Sequence, residues 1–292
     1  MTDVPFTIVD VFAEQRFAGN QLMVCRPQAE LSSDVMLAIA KEIHFSETTF
    51  LVSEKQSDGG YPVRIFTPRA EIPFAGHPTL GTAAVIQQEC ENTFQPTIRL
   101  NLAVGQIPVT FGENEDGLLW MQQNPPVFGA ILPPSDLTAV TNLSIDQIDL
   151  RYPIQEVSTG LPTLILPLKT RTALQAMRVG PDLFLAWVEG RKAKTLFAFC
   201  PMESGQGFYA RFFAHYFDIP EDPATGSANG SFAGYLVQHQ VMGTEPIDTT
   251  VEQGQEIGRP SKLYLRAAAS PNGVSTQVGG KVQPIAKGTI SV

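Results

Sequence analysis

Two stretches of this chain repeat one another, and that repeat is the strongest limit on how the chain can fold. Arg64-Ile65-Phe66 through Glu71-Ile72-Pro73 matches Arg211-Phe212-Phe213 through Asp218-Ile219-Pro220 at a constant spacing, 64 to 211 and 71 to 218. Upstream, Thr48-Thr49-Phe50 falls on Thr195-Leu196-Phe197 at the same spacing, which sets Glu47 opposite Lys194. After Pro73 and Pro220 the match needs an insertion of three residues, which then brings Gly76-His77-Pro78-Thr79 opposite Gly226-Ser227-Ala228-Asn229. Both stretches run on into small-residue helices, over 80–90 and 230–239. Such self-similarity implies two like-folded halves, each presenting a helix N-terminus. A length of 292 residues suits two domains of ordinary size. We place the first at 1–124, with the last strand, 281–292, returning to it, and the second at 125–280. Asn124-Pro125-Pro126 and Leu132-Pro133-Pro134-Ser135 form the connection, because prolines break strands and stiffen links.

The stretch Glu221-Asp222-Pro223-Ala224-Thr225-Gly226-Ser227-Ala228-Asn229-Gly230 reads as an acidic turn feeding a helix. Gly226, Ala228 and Gly230 carry little side chain, so the N–H groups of the first turn can face an anion and the helix dipole adds to their pull. Asp222 stands just before those donors, where a carboxylate can act on whatever they hold. Asp222 and Thr225 also suit plain helix capping, and the glycines close packing. In the first half, Pro78 suits a first helical position, where its missing N–H has no partner to lose.

Charge and composition remove several functions. A net charge of −9 and a pI near 5, with no basic patch, exclude a nucleic-acid or anionic-lipid surface. Hydrophobic residues at 43% and charged residues at 17% describe a globular protein, and no apolar run approaches the roughly 18 residues of a membrane span. The segment Met1-Thr2-Asp3-Val4-Pro5-Phe6 lacks the basic end and apolar run of a signal peptide, which points to the cytoplasm. Cys25, Cys90 and Cys200 lie far apart in apolar surroundings and read as buried thiols. His44, His215 and His239 show no ligand spacing with Asp, Glu or Cys, so no metal is assigned. Gly205-Gln206-Gly207-Phe208-Tyr209-Ala210 precedes a strand, whereas a dinucleotide fingerprint follows one, and there is no Walker loop, so no cofactor is assigned either. Strand-like runs and helices are interspersed without regular alternation, an α+β pattern.

Phe17-Ala18-Gly19-Asn20, Ser46-Glu47-Thr48-Thr49-Phe50, Phe74-Ala75-Gly76-His77-Pro78 and Asp222-Pro223-Ala224-Thr225-Gly226-Ser227-Ala228 together resemble the PhzF-like isomerase family of phenazine biosynthesis, nearly end to end. The resemblance implies a diaminopimelate epimerase-like fold of two pseudo-symmetric domains. Each would be a strand-wrapped barrel around a central helix, with the active site in the cleft between them. It implies a cofactor-independent enzyme, often a homodimer, acting on a small carboxylate-bearing molecule. By motif, Glu47 would be the catalytic acid/base, His77 and Asp222 polar partners of the substrate, and Gly76, Gly226 and Ser227 the holders of its carboxylate. The related epimerases use two cysteines as opposed bases, one beside each Gly-rich loop. Here Ala75 and Thr225 precede Gly76 and Gly226, so that chemistry has no residues to run on.

The leading expectation is an isomerase in which Glu47 moves a proton between two carbons. The alternatives are an amino-acid epimerase or racemase with non-thiol bases, and a catalytically silent metabolite-binding protein of the same fold. A glutamate in a closed site can have its pKa lifted toward working pH, and a histidine near a helix N-terminus tends to stay neutral.

Overall fold

A computed structural model describes residues 3–112, 117–243, 246–271 and 273–292. Met1 and Thr2, part of the start read above, lie outside the described residues. The chain divides into two compact units, Met1–Met121 with Gly279–Val292, and Gln122–Val278.

The first unit begins with β1 (Asp3–Val11), β2 (Asn20–Cys25), α1 (Ser33–Ile43), β3 (Glu47–Leu51), β4 (Gly60–Phe66) and β5 (Glu71–Ile72). It continues with α2 (Gly76–Glu89), β6 (Thr97–Leu102), β7 (Gly105–Phe111) and β8 (Leu119–Gln122). The second unit opens with β9 (Val127–Leu132), α3 (Ser135–Thr141), β10 (Ile154–Ser158), β11 (Thr163–Pro167), α4 (Arg171–Ala176) and α5 (Pro181–Val188). It goes on through β12 (Thr195–Pro201), β13 (Gly207–Ala214), β14 (Ile219–Asp222), α6 (Gly226–Gln238), β15 (Ile247–Gln253), β16 (Ser261–Ser270) and β17 (Gly273–Gly280). The chain then returns to the first unit as β18 (Val282–Ser291), antiparallel to β1 along its whole length.

The two units share one pairing scheme. In the first, β1 is antiparallel to β2, β2 parallel to β3, β3 antiparallel to β4, β4 parallel to β6, and β6 antiparallel to β7. In the second, β10, β11, β12, β13, β15 and β16 follow the same sequence of senses. The short strands β5 and β14 attach to β4 and β13, and β9 lies on β10 as β18 lies on β1. Each sheet surrounds one helix. α2 touches β1, β2, β3, β6, β7 and β18, and α6 touches β10, β11, β15 and β16.

These two helices differ from an amphipathic surface helix such as α1, which buries only Met36, Ile39 and Ala40 against Phe50 and Phe66. α2 is buried from Gly76 through Ala83 and again at Val85 and Ile86, and α6 is buried at nearly every residue from Gly226 to Val237. A helix with apolar or small residues all round has no face for water and belongs inside a sheet. Small side chains let the strands close in. A Cβ on Gly81 would come within 2.6 Å of Leu22 Cδ2, and one on Gly234 within 2.6 Å of the Pro126 ring. Helix α2 starts at Gly76, so Pro78 is its third residue rather than its first, still in the turn whose N–H groups lack intrahelical partners.

The structure corrects the register of the repeat. Arg64 makes a two-pronged ion pair with Glu71, Nε to Oε1 at 2.7 Å and Nη2 to Oε2 at 2.6 Å. Arg211 makes the same pair with Glu221, at 2.9 and 2.7 Å. Glu71 therefore corresponds to Glu221, not Asp218. The three-residue insertion lies before Glu221, in the 3-10 turn His215–Phe217 that ends at left-handed Asp218. Strand β3 is also displaced by one. Thr49 bonds Thr82 of α2 and so faces the central helix, while Phe50 faces α1. In β12 the residues stacked on Phe232 of α6 are Phe197 and Phe199, while Leu196 and Ala198 face the α4–α5 side. Strand side chains alternate, so a slip of one reverses every face. Glu47 therefore corresponds to Thr195, and Lys194 points elsewhere, its ammonium donating to the Val188 carbonyl beside the Tyr216 ring.

Candidate active site

Parallel pairing of β2 with β3 sets Leu22 beside Glu47, the first residue of β3. Glu47 shares the face of Thr49 and is directed to the first turn of α2. There His77 Nε2 lies 3.4 Å from Glu47 Oε2, and the two side chains are 6% and 14% exposed. Burial drives the His77 pKa down to about 3, although a hydrogen bond to the Gln21 backbone opposes this. The imidazole is therefore neutral at physiological pH, and the contact with Glu47 is not an ion pair. Nε2 is buried without a well-formed hydrogen bond, so the Gln21 carbonyl takes the proton of the other ring nitrogen. Nε2 then presents a lone pair, and the Glu47/His77 pair can share one proton. Gly76, buried, supplies the first N–H of the helix ahead of His77.

In the second unit Asp222 is 6% exposed at the end of β14, four residues before Gly226 opens α6. The first intrahelical bond runs from Asn229 N–H to the Thr225 carbonyl, so the N–H groups of Gly226, Ser227 and Ala228 are not used inside the helix. Thr225, the residue that precedes the helix, does not cap it through its side chain. Thr225 Oγ1 instead donates to Asp222 Oδ2 at 2.5 Å. The structure thus brings Glu47 and His77 together in one unit, with Gly76 beside them, and Asp222, Gly226 and Ser227 together in the other.

Sequence reasoning passed over Gln21, Asn229 and Gln253 as members of these clusters. Gln253 carries a readable signal: in Ile247, Thr249, Val251 and Gln253 every second residue of β15 is buried, and a glutamine closes that inward row. Cys25 and Cys200 are buried, with burial pushing both thiols up to about 12, whereas Cys90 is only partly covered. Among the described residues no three His, Cys, Asp or Glu side chains gather as a metal-ligating group, and no helix is long and apolar enough to cross a membrane.

A repeated sheet wound on a buried helix is the fold of the diaminopimelate epimerase-like isomerases. A solved hydroxyproline epimerase from Agrobacterium vitis shares that fold at a TM-score of 0.66 and 10% identity, covering 100% of this chain and 94% of its own. A PhzF-family phenazine biosynthesis protein from Bacillus anthracis superposes far better, at a TM-score of 0.90 and 23% identity over 100% of both chains. The sequence model described as phenazine biosynthesis-like protein matches residues 9–288. The trans-2,3-dihydro-3-hydroxyanthranilate isomerase of Pseudomonas aeruginosa is 32% identical over 289 residues, 97% of this chain and 98% of that protein. The chain belongs to the phenazine biosynthesis-like protein family, and it is an isomerase.

Proposed function

We propose that the protein is a cofactor-independent isomerase that moves a proton between two carbons of a small carboxylate-bearing amino or hydroxy acid. The observation that carries this reading is the Glu47–His77 contact, 3.4 Å long and almost wholly buried, in which the imidazole is neutral. Glu47 takes a proton from one substrate carbon as carboxylate. The electron pair left behind shifts across an adjoining double bond, and Glu47, whose carboxyl proton exchanges with solvent between the two steps, returns a proton to the far carbon, so that nothing is gained or lost overall. His77 Nε2 accepts a hydrogen bond from a substrate N–H or O–H, or from Glu47 while it holds the proton. The N–H groups of Gly226 and Ser227 bind the substrate carboxylate, and Asp222 holds its amino or hydroxyl group.

The Pseudomonas aeruginosa relative is named for a cyclic amino acid bearing a hydroxyl group, which fits this substrate class. Racemisation with non-thiol bases is less well supported, because Thr195, the counterpart of Glu47, cannot serve as a second carboxylate. The test is deuterium uptake from heavy water into a panel of cyclic and acyclic amino- and hydroxy-carboxylates, followed by NMR. Uptake at carbon in the wild type, lost in Glu47→Gln, is expected. No uptake into any member by the wild type favours a silent binding protein.

A further inference from the structure

The polar contacts around Asp222 exist in one unit of the repeat and have no counterpart in the other. Gln253 is 1% exposed, and its Nε2 donates to the Asp222 backbone carbonyl at 2.8 Å and to Thr225 Oγ1 at 3.3 Å. Its Oε1 accepts from Asn229 Nδ2 at 3.1 Å and from the Thr225 N–H at 3.5 Å. Because Thr225 Oγ1 accepts from Gln253, its own proton is aimed at Asp222 Oδ2. A hydroxyl that donates to Oδ2 keeps that oxygen an acceptor, so a proton arriving on this carboxyl resides on Oδ1.

The first unit supplies an internal control. Gly60 pairs with Arg99 as Gly207 pairs with Thr250, so Leu102 stands where Gln253 does. The Arg64–Glu71 and Arg211–Glu221 pairs likewise set Ile72, Ala75 and Thr79 in the places of Asp222, Thr225 and Asn229. That unit builds the same turn, helix start and inner strand with a buried Leu102 and no such network. A buried polar network is no more stabilising than well-packed apolar groups, so the fold alone gives no reason for it. The nearby charges do not explain it either. Arg211 and Glu221 neutralise one another, and Arg211 turns to the carbonyls of Leu174 and Met177.

We propose that Gln253, acting through Thr225, is a positioning residue for Asp222, deciding which carboxylate oxygen accepts and which can carry a proton. This rests on the reading that Asp222 meets the substrate. The test needs no substrate: selective 13C labelling of aspartate and NMR titration of the Asp222 carboxyl in the intact protein. Removing the donor chain destabilises the ionised form, so Gln253→Leu and Thr225→Val should each raise the Asp222 midpoint by about one pH unit. Thr225→Ser, which retains the hydroxyl, should leave it at the wild-type value. Should Gln253→Leu fail to fold, Gln253→Met keeps the length and takes its place. A midpoint that stays put in the folded Gln253 and Thr225→Val variants overturns the proposal, as does a Thr225→Ser shift equal to that of valine. Absence of turnover by the wild type would instead count against the isomerase reading and leave this titration to decide the positioning role.

Discussion

Glu47→Gln preserves size and hydrogen bonding but cannot carry a proton. Deuterium exchange should fall by roughly 10²–10⁴-fold, the range general acid/base catalysis supplies, while calorimetric substrate affinity changes far less. His77 makes a separate prediction about stability. Its folded pKa, about 3, lies below its unfolded value, so protonation favours the unfolded chain. The neutral form therefore costs nothing above pH 6.5, and stability is lost as pH falls from there toward 3. At pH 4.5 the loss is about 2–3 kcal/mol, so urea unfolding of His77→Asn should show that much less acid sensitivity than the wild type. The candidate residues were legible because short motifs name them. Their surroundings were not, since the neutrality of His77 comes from burial, against the opposing pull of the Gln21 backbone, and no local pattern announces either.

Among the elements, the buried helices α2 and α6 could be read from their Gly- and Ala-rich runs, whereas strand register could not. Identities such as Thr48-Thr49-Phe50 against Thr195-Leu196-Phe197 match letters and reverse faces. Only the contacts of Thr49 with Thr82, and of Phe197 with Phe232, decide the alignment. Helix α6 predicts its own weak point. Gly234→Ala would gain up to about 1 kcal/mol of helix propensity but drive a methyl against the Pro126 ring, a rigid neighbour, at a typical overpacking cost of about 1–3 kcal/mol. A net fall in chemical denaturation midpoint is expected. At the far end of α2, Glu89 would oppose the helix dipole but is held by Arg26, by Thr7 Oγ1 at 2.8 Å and by Lys287 at 2.9 Å. Burial raises its pKa, and Lys287, Thr7 and Arg26 together outweigh this and lower it. Its contribution is thus present above the ordinary carboxylate range and lost as pH falls through the lowered pKa. Glu89→Gln should cost about 1–3 kcal/mol near pH 7, discounted for the partly exposed Arg26 and Lys287, and much less at pH 3.

At the scale of the molecule, the two-part architecture followed from the repeat, but the return of the chain to its starting unit left only a strand-like tail as a sign. Removing residues 279–292 takes away the strand paired with β1 from Asp3 to Val11. The shortened chain should lose the first unit's protection from amide exchange while β12 and β13 of the second keep theirs, a comparison that hydrogen-exchange mass spectrometry makes directly. The same pairing, Asp3 beside Ser291, also orders events in time. At roughly 5–20 residues per second, β1 leaves the ribosome some 15–55 s before β18 exists to cover its open edge. The continuous unit, 122–278, is synthesised whole within that interval. The half made first is therefore the half finished last, and its sheet edge stays exposed to misassociation throughout.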